Sequence, residues 1–461
     1  MEQADAERPG PALWIDVEDM FDYFRFNPHP SGIQRVALDI MAALTVVAPG
    51  RVRFGRHADG AKAGTTWREV RWSEIEAMVA SPTLEPLVEK AEDDQARRSR
   101  VQRTIHALPP ELRDPLFRAG VLQSQVLRNV RALIHLVRPP PPVEIRDLPS
   151  GEALTAVDGP QAGDVVVVLG APWSVRGAGL RMAALKAAGV RSAVLIHDLI
   201  PVRRPEWFPA SRVERFRAWL DAALRQADHL LTISRFTAAD VAAYAARSGI
   251  EIAPPTVLRA GASRLRAALE MPPGLPIAGS YVLFVSTLEA RKNHVLLLRV
   301  WQRLMAEVRA GSRAPGSVPQ LVFAGRVGTG VADLLQQLDN SRYLGGRVRL
   351  LREPGDAEIR ALYQGCLFSI LPSLFEGWGL PLGESLALGK PCLAARGTAL
   401  EEAGGDLCRY FDPEDVGDAH RAVTALLDTP GAIHLWQADI RARYRPENWN
   451  AAAAAIVGLA G

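Results

Sequence analysis

Leu371–Pro391 reads L-P-S-L-F-E-G-W-G-L-P-L-G-E-S-L-A-L-G-K-P. An apolar strand ends at Ser373, a glycine-broken loop follows, and a short helix opens near Pro381. Proline suits the first helical position, and Gly389 followed by Pro391 closes the helix. Glu376 falls on the loop and Glu384 in the first helical turn. A strand–glycine loop–helix junction is where an α/β protein accepts a phosphorylated ligand, because free N–H groups and the helix dipole point at it. Carboxylates there are no partners for phosphate. They suit hydroxyls, as a sugar ligand would supply. The competing reading is a capped helix with a solvated glutamate.

Outward from this stretch, strand and helix alternate. The second half predicts strands at Tyr281–Ser286, Gln320–Ala324, Arg347–Leu351, Cys366–Leu371 and Cys392–Ala395. Helices are predicted at His294–Arg309, Val331–Gln337 and Asp356–Tyr363, with a helical tail over Asp418–Leu427 and Glu447–Leu459. The first half repeats the pattern. Strands Ala12–Val17, Val165–Leu169, Ser192–His197, His229–Ile233 and Thr256–Leu258 alternate with helices Gly32–Val47, Arg181–Ala188 and Arg212–Gln226, and with one that Ser234 caps near Thr237. Ser31 is the N-cap expected for Gly32–Val47. Val52–Phe54 and Arg68–Trp72 read as minor strands, and Asp19–Ser31 as a long loop of the kind that walls a site. Gly261–Ser280, with P-P-G-L-P, reads as a linker. The fold class is α/β, with two doubly wound domains.

Between Arg97 and Arg138 nine arginines face two acids. Apolar Leu112, Leu116, Ala119, Leu122, Val126, Val130, Leu133 and Val137 recur at helical spacing, so residues 83–146 read as mostly helical. Two readings stay open: peripheral contact with anionic lipid, or a core-facing helix with a solvated basic back.

The chain has 461 residues, 48% apolar and 23% charged, which argues for two to three ordered domains. A net charge of +3 without a concentrated basic face gives no reason to expect nucleic acid. Cys366, Cys392 and Cys408 form neither a disulfide framework nor a metal-ligand spacing and read as buried thiols. The acidic start is no signal peptide, and no apolar run approaches the roughly 18 residues of a membrane helix. The expectation is a soluble cytoplasmic protein, touching at most the inner membrane face.

Ligands of open parallel sheets bind off the strands' carboxyl ends. His197-Asp198 sits there, as do Glu289-Ala290-Arg291-Lys292-Asn293, Gly325-Arg326 and Glu376. Two facing Rossmann-like domains would bring them into one cleft. Arg291 and Lys292 suit a diphosphate, one as a planar fork and one as a point charge. No G-x-S-x-G elbow supports a hydrolase triad, and no G-x-G-x-x-G follows the first strand or Tyr281–Ser286, which counts against NAD.

With these residues in place, the chain resembles the retaining family 4 glycosyltransferases of GT-B fold over about residues 10–50 and 160–450. The specific parts are F-E-G-W-G-L-P-L-G-E, with its E-x7-E pattern at Glu376 and Glu384, then S-T-L-E-A-R-K-N at Ser286–Asn293 and I-H-D-L-I-P-V at Ile196–Val202. S-G-I-Q-R-V at Ser31–Val36 and L-T-I-S at Leu231–Ser234 support it. Many relatives carry Gly-Arg where this chain has Ser286-Thr287, and an apolar-Gly-Val/Ile linker where it reads L-R-A-G-A at Leu258–Ala262.

The resemblance implies a GT-B fold with a deep interdomain cleft. Residues 1–265 would be the acceptor domain, with the basic insertion at about 83–146. Residues 266–430 would be the donor domain, and 431–461 a helical tail crossing back to the first. It implies transfer of a hexose or deoxyhexose from a GDP-, UDP- or dTDP-linked sugar to a glycan or lipid-linked glycan in cell-surface polysaccharide synthesis, with no cofactor and no metal. Glu384 would hold ribose hydroxyls. Glu376 and the backbone of Gly377, Trp378, Gly379 and Leu380 would hold the donor sugar. Arg291 and Lys292 would grip the diphosphate, with Ser286, Thr287 and Arg326 nearby. His197 would lie over the sugar ring, and Ser31, Gly32, Arg35 and Asp198 would border the acceptor. Catalysis would rest on His197, Glu376, Arg291 and Lys292. The alternative is a catalytically silent nucleotide-sugar-binding or scaffold protein of the same fold.

Overall fold

The computed structural model describes residues 11–27, 29–57, 67–80, 159–175, 178–258, 261, 277 and 279–460. The basic segment 83–146 and most of the Gly261–Ser280 linker lie outside them. Residues 1–22, 30–74 and 157–461 make one compact unit that holds both sheets. Residues 23–29 and 75–156 make another. In that second unit the Tyr23 hydroxyl donates to His29 O at 3.1 Å and the Asn27 amide to Tyr23 O at 2.9 Å.

The first sheet runs β3-β2-β1-β4-β5-β6-β7: β1 Leu13–Asp16, β2 Val52–His57, β3 Trp67–Val70, β4 Val165–Val168, β5 Arg191–Ile196, β6 His229–Thr232 and β7 Thr256–Val257. All pairs are parallel except β2–β3. The run of valines in β4 is wholly buried, because helices cover both sides. Val168, Val194 and Ile196 pack with Phe216, Trp219, Leu220 and Val241. Further along the same face Trp14 and Val166 meet Trp67, Leu185 and Val190. Asp164 fastens the entry of β4 by accepting from Ala12 N at 2.8 Å and Trp14 Nε1 at 3.2 Å.

The second sheet runs β10-β9-β8-β11-β12-β13, all parallel: β8 Tyr281–Val285, β9 Gln320–Ala324, β10 Val348–Leu351, β11 Ser369–Leu371, β12 Cys392–Ala395 and β13 Arg409–Phe411. Alternate residues serve opposite faces. Val282, Phe284, Leu321 and Phe323 pack against Leu297, Val300, Trp301 and Leu304 of the helix His294–Arg309. Tyr281, Leu283, Val322 and Ala324 meet Ile359, Leu362 and Tyr363 of the helix Asp356–Gly365. Order 3-2-1-4-5-6 about β8 is the Rossmann order, which reverses between β8 and β11 and leaves a crevice at that junction.

The predicted alternation holds with shifts of up to three residues at element ends. Three corrections arise. The first half of the expected loop Asp19–Ser31 is helix Glu18–Phe24. Asp16 Oδ1 accepts from Glu18 N at 3.0 Å, and Met20 and Phe24, one turn apart, are both buried. Trp72 begins a helix, Trp72–Ala80, rather than ending a strand. Strand Arg409–Phe411 and helices Ala399–Gly404 and Ala432–Arg443, too short or too weakly periodic to read in advance, complete the second lobe. The last helix, Trp449–Val457, packs on Gly32–Val47 of the first lobe. All three cysteines are buried free thiols. No helix of the described residues is long and apolar enough to cross a membrane.

Leu44, fully buried on the Gly32–Val47 helix, tests this packing. Leu44→Ala should cost about 2–5 kcal/mol in denaturant unfolding. A loss under about 1 kcal/mol, the level of a surface site, would contradict it.

Candidate active site

The crevice between β8 and β11 is built by two loops stitched together. After β8 the chain makes one tight turn, Ala290–Lys292, and Asn293 enters the next helix with φ 58°, a left-handed value that asparagine tolerates. The Asn293 amide donates to Pro372 O at 3.2 Å and to Pro413 O at 2.8 Å. Leu374 N donates to Arg291 O at 2.8 Å. These bonds fix Arg291 and Lys292 beside Glu376. Lys292 Nζ is 2.5 Å from Glu376 Oε1, and Arg291 Nη1 is 3.1 Å from Oε2. Arg291 also reaches Glu289 through Nε at 3.1 Å.

Glu376 and Lys292 are 8% and 9% exposed, so the pair is a buried one. Burial alone raises a carboxyl's pKa; here the Lys292 and Arg291 charges override it and bring Glu376 down to about 2. Burial, reinforced by the Arg291 charge, lowers the Lys292 pKa against the pull of Glu376. Because the folded pKa of Glu376 is depressed, its stabilising effect is present above the ordinary 4.5 and is lost as pH falls toward about 2.

Gly377 explains why the next residue is a glycine. A Cβ there would lie 2.3 Å from His197 O, so only glycine lets the loop of one lobe touch the strand end of the other. Ser234 Oγ donates to Gly377 O at 2.8 Å, and Thr237 Oγ1 stands 3.3 Å from His197 O. Glu402 adds a second tie by accepting from Arg235 N and Phe236 N at the start of helix Arg235–Arg247. The lobes therefore meet at the site itself. Gly379, with φ 107°, turns the chain into helix Leu380–Ala387. Leu380 faces Gly32, whose added Cβ would be 3.9 Å from Leu380 Cδ1.

His197 follows β5 and is 4% exposed. Its Nε2 donates to Leu169 O at 2.7 Å, which leaves Nδ1 as the acceptor. Burial, against that hydrogen bond, lowers its pKa to about 4, so the ring is neutral at ordinary pH. Burial raises the pKa of Asp198, with Arg291 the leading charge opposing it. Asp198 Oδ1 accepts from Ile200 N at 3.0 Å.

Arg291, Lys292, Glu376, Gly377, His197 and Asp198 thus converge. Glu384 lies one helix onward, 4% exposed, with its Oε2 3.4 Å from the Tyr363 hydroxyl. Arg35, from the first lobe, is paired with Asp356 at 2.6 Å and stands 3.7 Å from Glu384. Ser286 Oγ faces His294 Nε2 at 3.2 Å, and Ser31 Oγ faces Gln34 Oε1 instead of capping its helix. The Arg326 carbonyl accepts from Leu288 N at 2.8 Å, extending β8–β9 pairing so that Thr287 and Arg326 lie on adjoining loops. Trp378 is half-buried. Ser234, Thr237, Glu289, Asp356 and Tyr363 were not picked out from the sequence for these contacts. L-T-I-S pointed at Ser234 and S-T-L-E-A-R-K-N at Glu289, and no local pattern marks the other three. Among the described residues no group of three or more His, Cys, Asp or Glu is placed to hold a metal ion.

Residues 273–443 match the family of glycosyl transferases group 1. The serotype-specific mannosyltransferase WbdA of Escherichia coli is 27% identical over 252 residues, covering 52% of this chain and 30% of that protein. The O-antigen chain mannosyltransferase B of Escherichia coli is 29% identical over 230 residues, covering 49% of this chain and 58% of that one. The chain thus spans about a third of the length of WbdA. HepE of Anabaena, solved with UDP and glucose, superposes with a TM-score of 0.54 at 15% identity, covering 98% of this chain and 99% of that one, which shows a shared fold. The chain carries a glycosyl transferases group 1 domain over residues 273–443, on a GT-B fold.

Proposed function

We propose that the protein is a retaining glycosyltransferase that moves a hexose or deoxyhexose from a nucleotide sugar to a glycan or lipid-linked glycan in cell-surface polysaccharide synthesis. One observation carries the reading: Glu376 clamped by Lys292 and Arg291 in the β8/β11 crevice, with Glu384 on the following helix. Mannose is the sugar that the names of the Escherichia coli relatives favour. The HepE structures with UDP and with UDP-glucose give the shared fold a nucleotide-sugar precedent.

The chemistry follows from charge. The donor's diphosphate leaves as an anion while the sugar carbon becomes oxocarbenium-like. Lys292, buried, and Arg291, half-buried, are cations fixed by ion pairs, so they stabilise that leaving group without reorganising. A bound diphosphate holds Lys292 charged against the burial that lowers its pKa. Glu376, ionised and already oriented, accepts hydrogen bonds from sugar hydroxyls. His197, neutral, offers Nδ1 to a hydroxyl and supplies no cation.

Removing one such contact costs about 2.7–4 kcal/mol in the transition state, a hundred- to thousand-fold in rate. Lys292→Ala leaves Arg291 as partner to Glu376, and Glu376→Gln keeps the side chain's shape. Both should fold, by circular dichroism, and lose transfer on that scale with whichever nucleotide sugar the wild type uses. Near-normal turnover in either folded variant would remove the assignment. Wild-type protein that binds donor but neither transfers nor hydrolyses it would favour the silent scaffold.

Retention has its own readout. Proton NMR of product formed in the first minutes should show the anomeric configuration of the donor; the opposite anomer would rule retention out.

A further inference from the structure

Arg35 lies in the opening turn of helix Gly32–Val47, on the first lobe, yet its charged partners Asp356 and Glu384 belong to the second. Its Nη2 donates to Asp356 Oδ1 at 2.6 Å, and its Nη1 stands 3.7 Å from Glu384 Oε1. Asp356 begins the helix Asp356–Gly365, and Glu384 lies in Leu380–Ala387. The short bond therefore goes to Asp356. Glu384 feels Arg35 as a charge but keeps its acceptor capacity. The Tyr363 hydroxyl, 3.4 Å from Glu384 Oε2, has a closer acceptor in Pro381 O at 3.0 Å.

A carboxylate that is to accept hydroxyl hydrogens has to be ionised. Burial disfavours the charged form of Glu384 and raises its pKa; Arg35 opposes this, Asp356 adds to it, and the Tyr363 hydrogen bond favours the anion. Arg35 supplies the countercharge in this group. A planar guanidinium spans two carboxylates in one geometry, which a lysine ammonium does not.

We propose that Arg35 is a positioning residue for the donor's ribose: anchored on Asp356, it holds Glu384 charged and oriented toward the ribose diol from across the lobe boundary. The proposal rests on the nucleotide-sugar reading above and deepens it. It makes ribose recognition by the second lobe depend on the seating of the first.

The test is calorimetric titration of the wild type, Arg35→Gln and Arg35→Lys with GDP and UDP and with their 2′,3′-dideoxy counterparts, from acid to neutral pH. The wild type should prefer one ribose form over its dideoxy form by roughly tenfold or more, the worth of one hydrogen bond to a charged acceptor. In Arg35→Gln that preference should collapse while dideoxy affinity stays put. What remains of it should vanish at a higher pH than in the wild type, because without Arg35 the Glu384 pKa moves further up and the anion is lost sooner on acidification. Arg35→Lys, which keeps the charge, should retain most of the wild-type pH profile even if some preference is lost. Equal losses for ribose and dideoxy forms, or an unmoved acid limb, overturn the proposal and leave the donor reading standing. A wild type that binds none of these nucleotides overturns both.

Discussion

A buried carboxylate needs a positive partner, and Glu376 has two. The rest of the site follows from that constraint. The left-handed Asn293, the hydrogen bonds it makes to Pro372 and Pro413, and the Leu374–Arg291 backbone bond hold the two loops in the register that seats Glu376 between Lys292 and Arg291. Breaking a buried pair by removing one partner typically costs about 3–5 kcal/mol, so the loops are not free to separate. On the proposed reading, the pair is also a store of charge for an incoming diphosphate and sugar.

The second constraint is steric. Gly377 brings the loop within van der Waals reach of His197 O, and Ser234 secures its carbonyl. Glu402 at the start of the Arg235–Arg247 helix, and the tail helix Trp449–Val457 against Gly32–Val47, tie the same two lobes at other points. One lobe supplies the cations and both glutamates. The other supplies a neutral imidazole, a half-buried aspartate and Arg35. Neither half makes the site alone.

Much of this was legible in the sequence, for a physical reason. Strands buried on both faces are continuous apolar runs, so Val165–Leu169 and Tyr281–Ser286 announced themselves. Residues at strand ends are confined by topology to one edge, so His197, Arg291, Lys292 and Glu376 could be grouped before any contact was seen. Other features could not be read. Arg35 meets Asp356 across 321 positions, and nothing near Arg35 encodes that pairing. The Glu18–Phe24 helix passed for loop because its helical signal is brief: two acids in the first turn and an apolar pair one turn apart. The tautomer of His197 depends on Leu169 O, just past the end of the neighbouring strand β4. The sequence pattern located the residues; which of them pair, and which are charged, came only with the packing.

The crevice between β8 and β11 is proposed to hold the diphosphate and sugar of a nucleotide sugar. The most direct measurement is the thermal unfolding midpoint in the presence of UDP-, GDP- and dTDP-linked hexoses. A ligand that binds only the folded chain raises the midpoint, by about 2.7 kcal/mol of stability at a hundred times its dissociation constant. At least one of these donors should raise it, and the rise should be much smaller in Lys292→Ala. Midpoints unmoved by all three donors, or moved equally in the variant, would contradict the account.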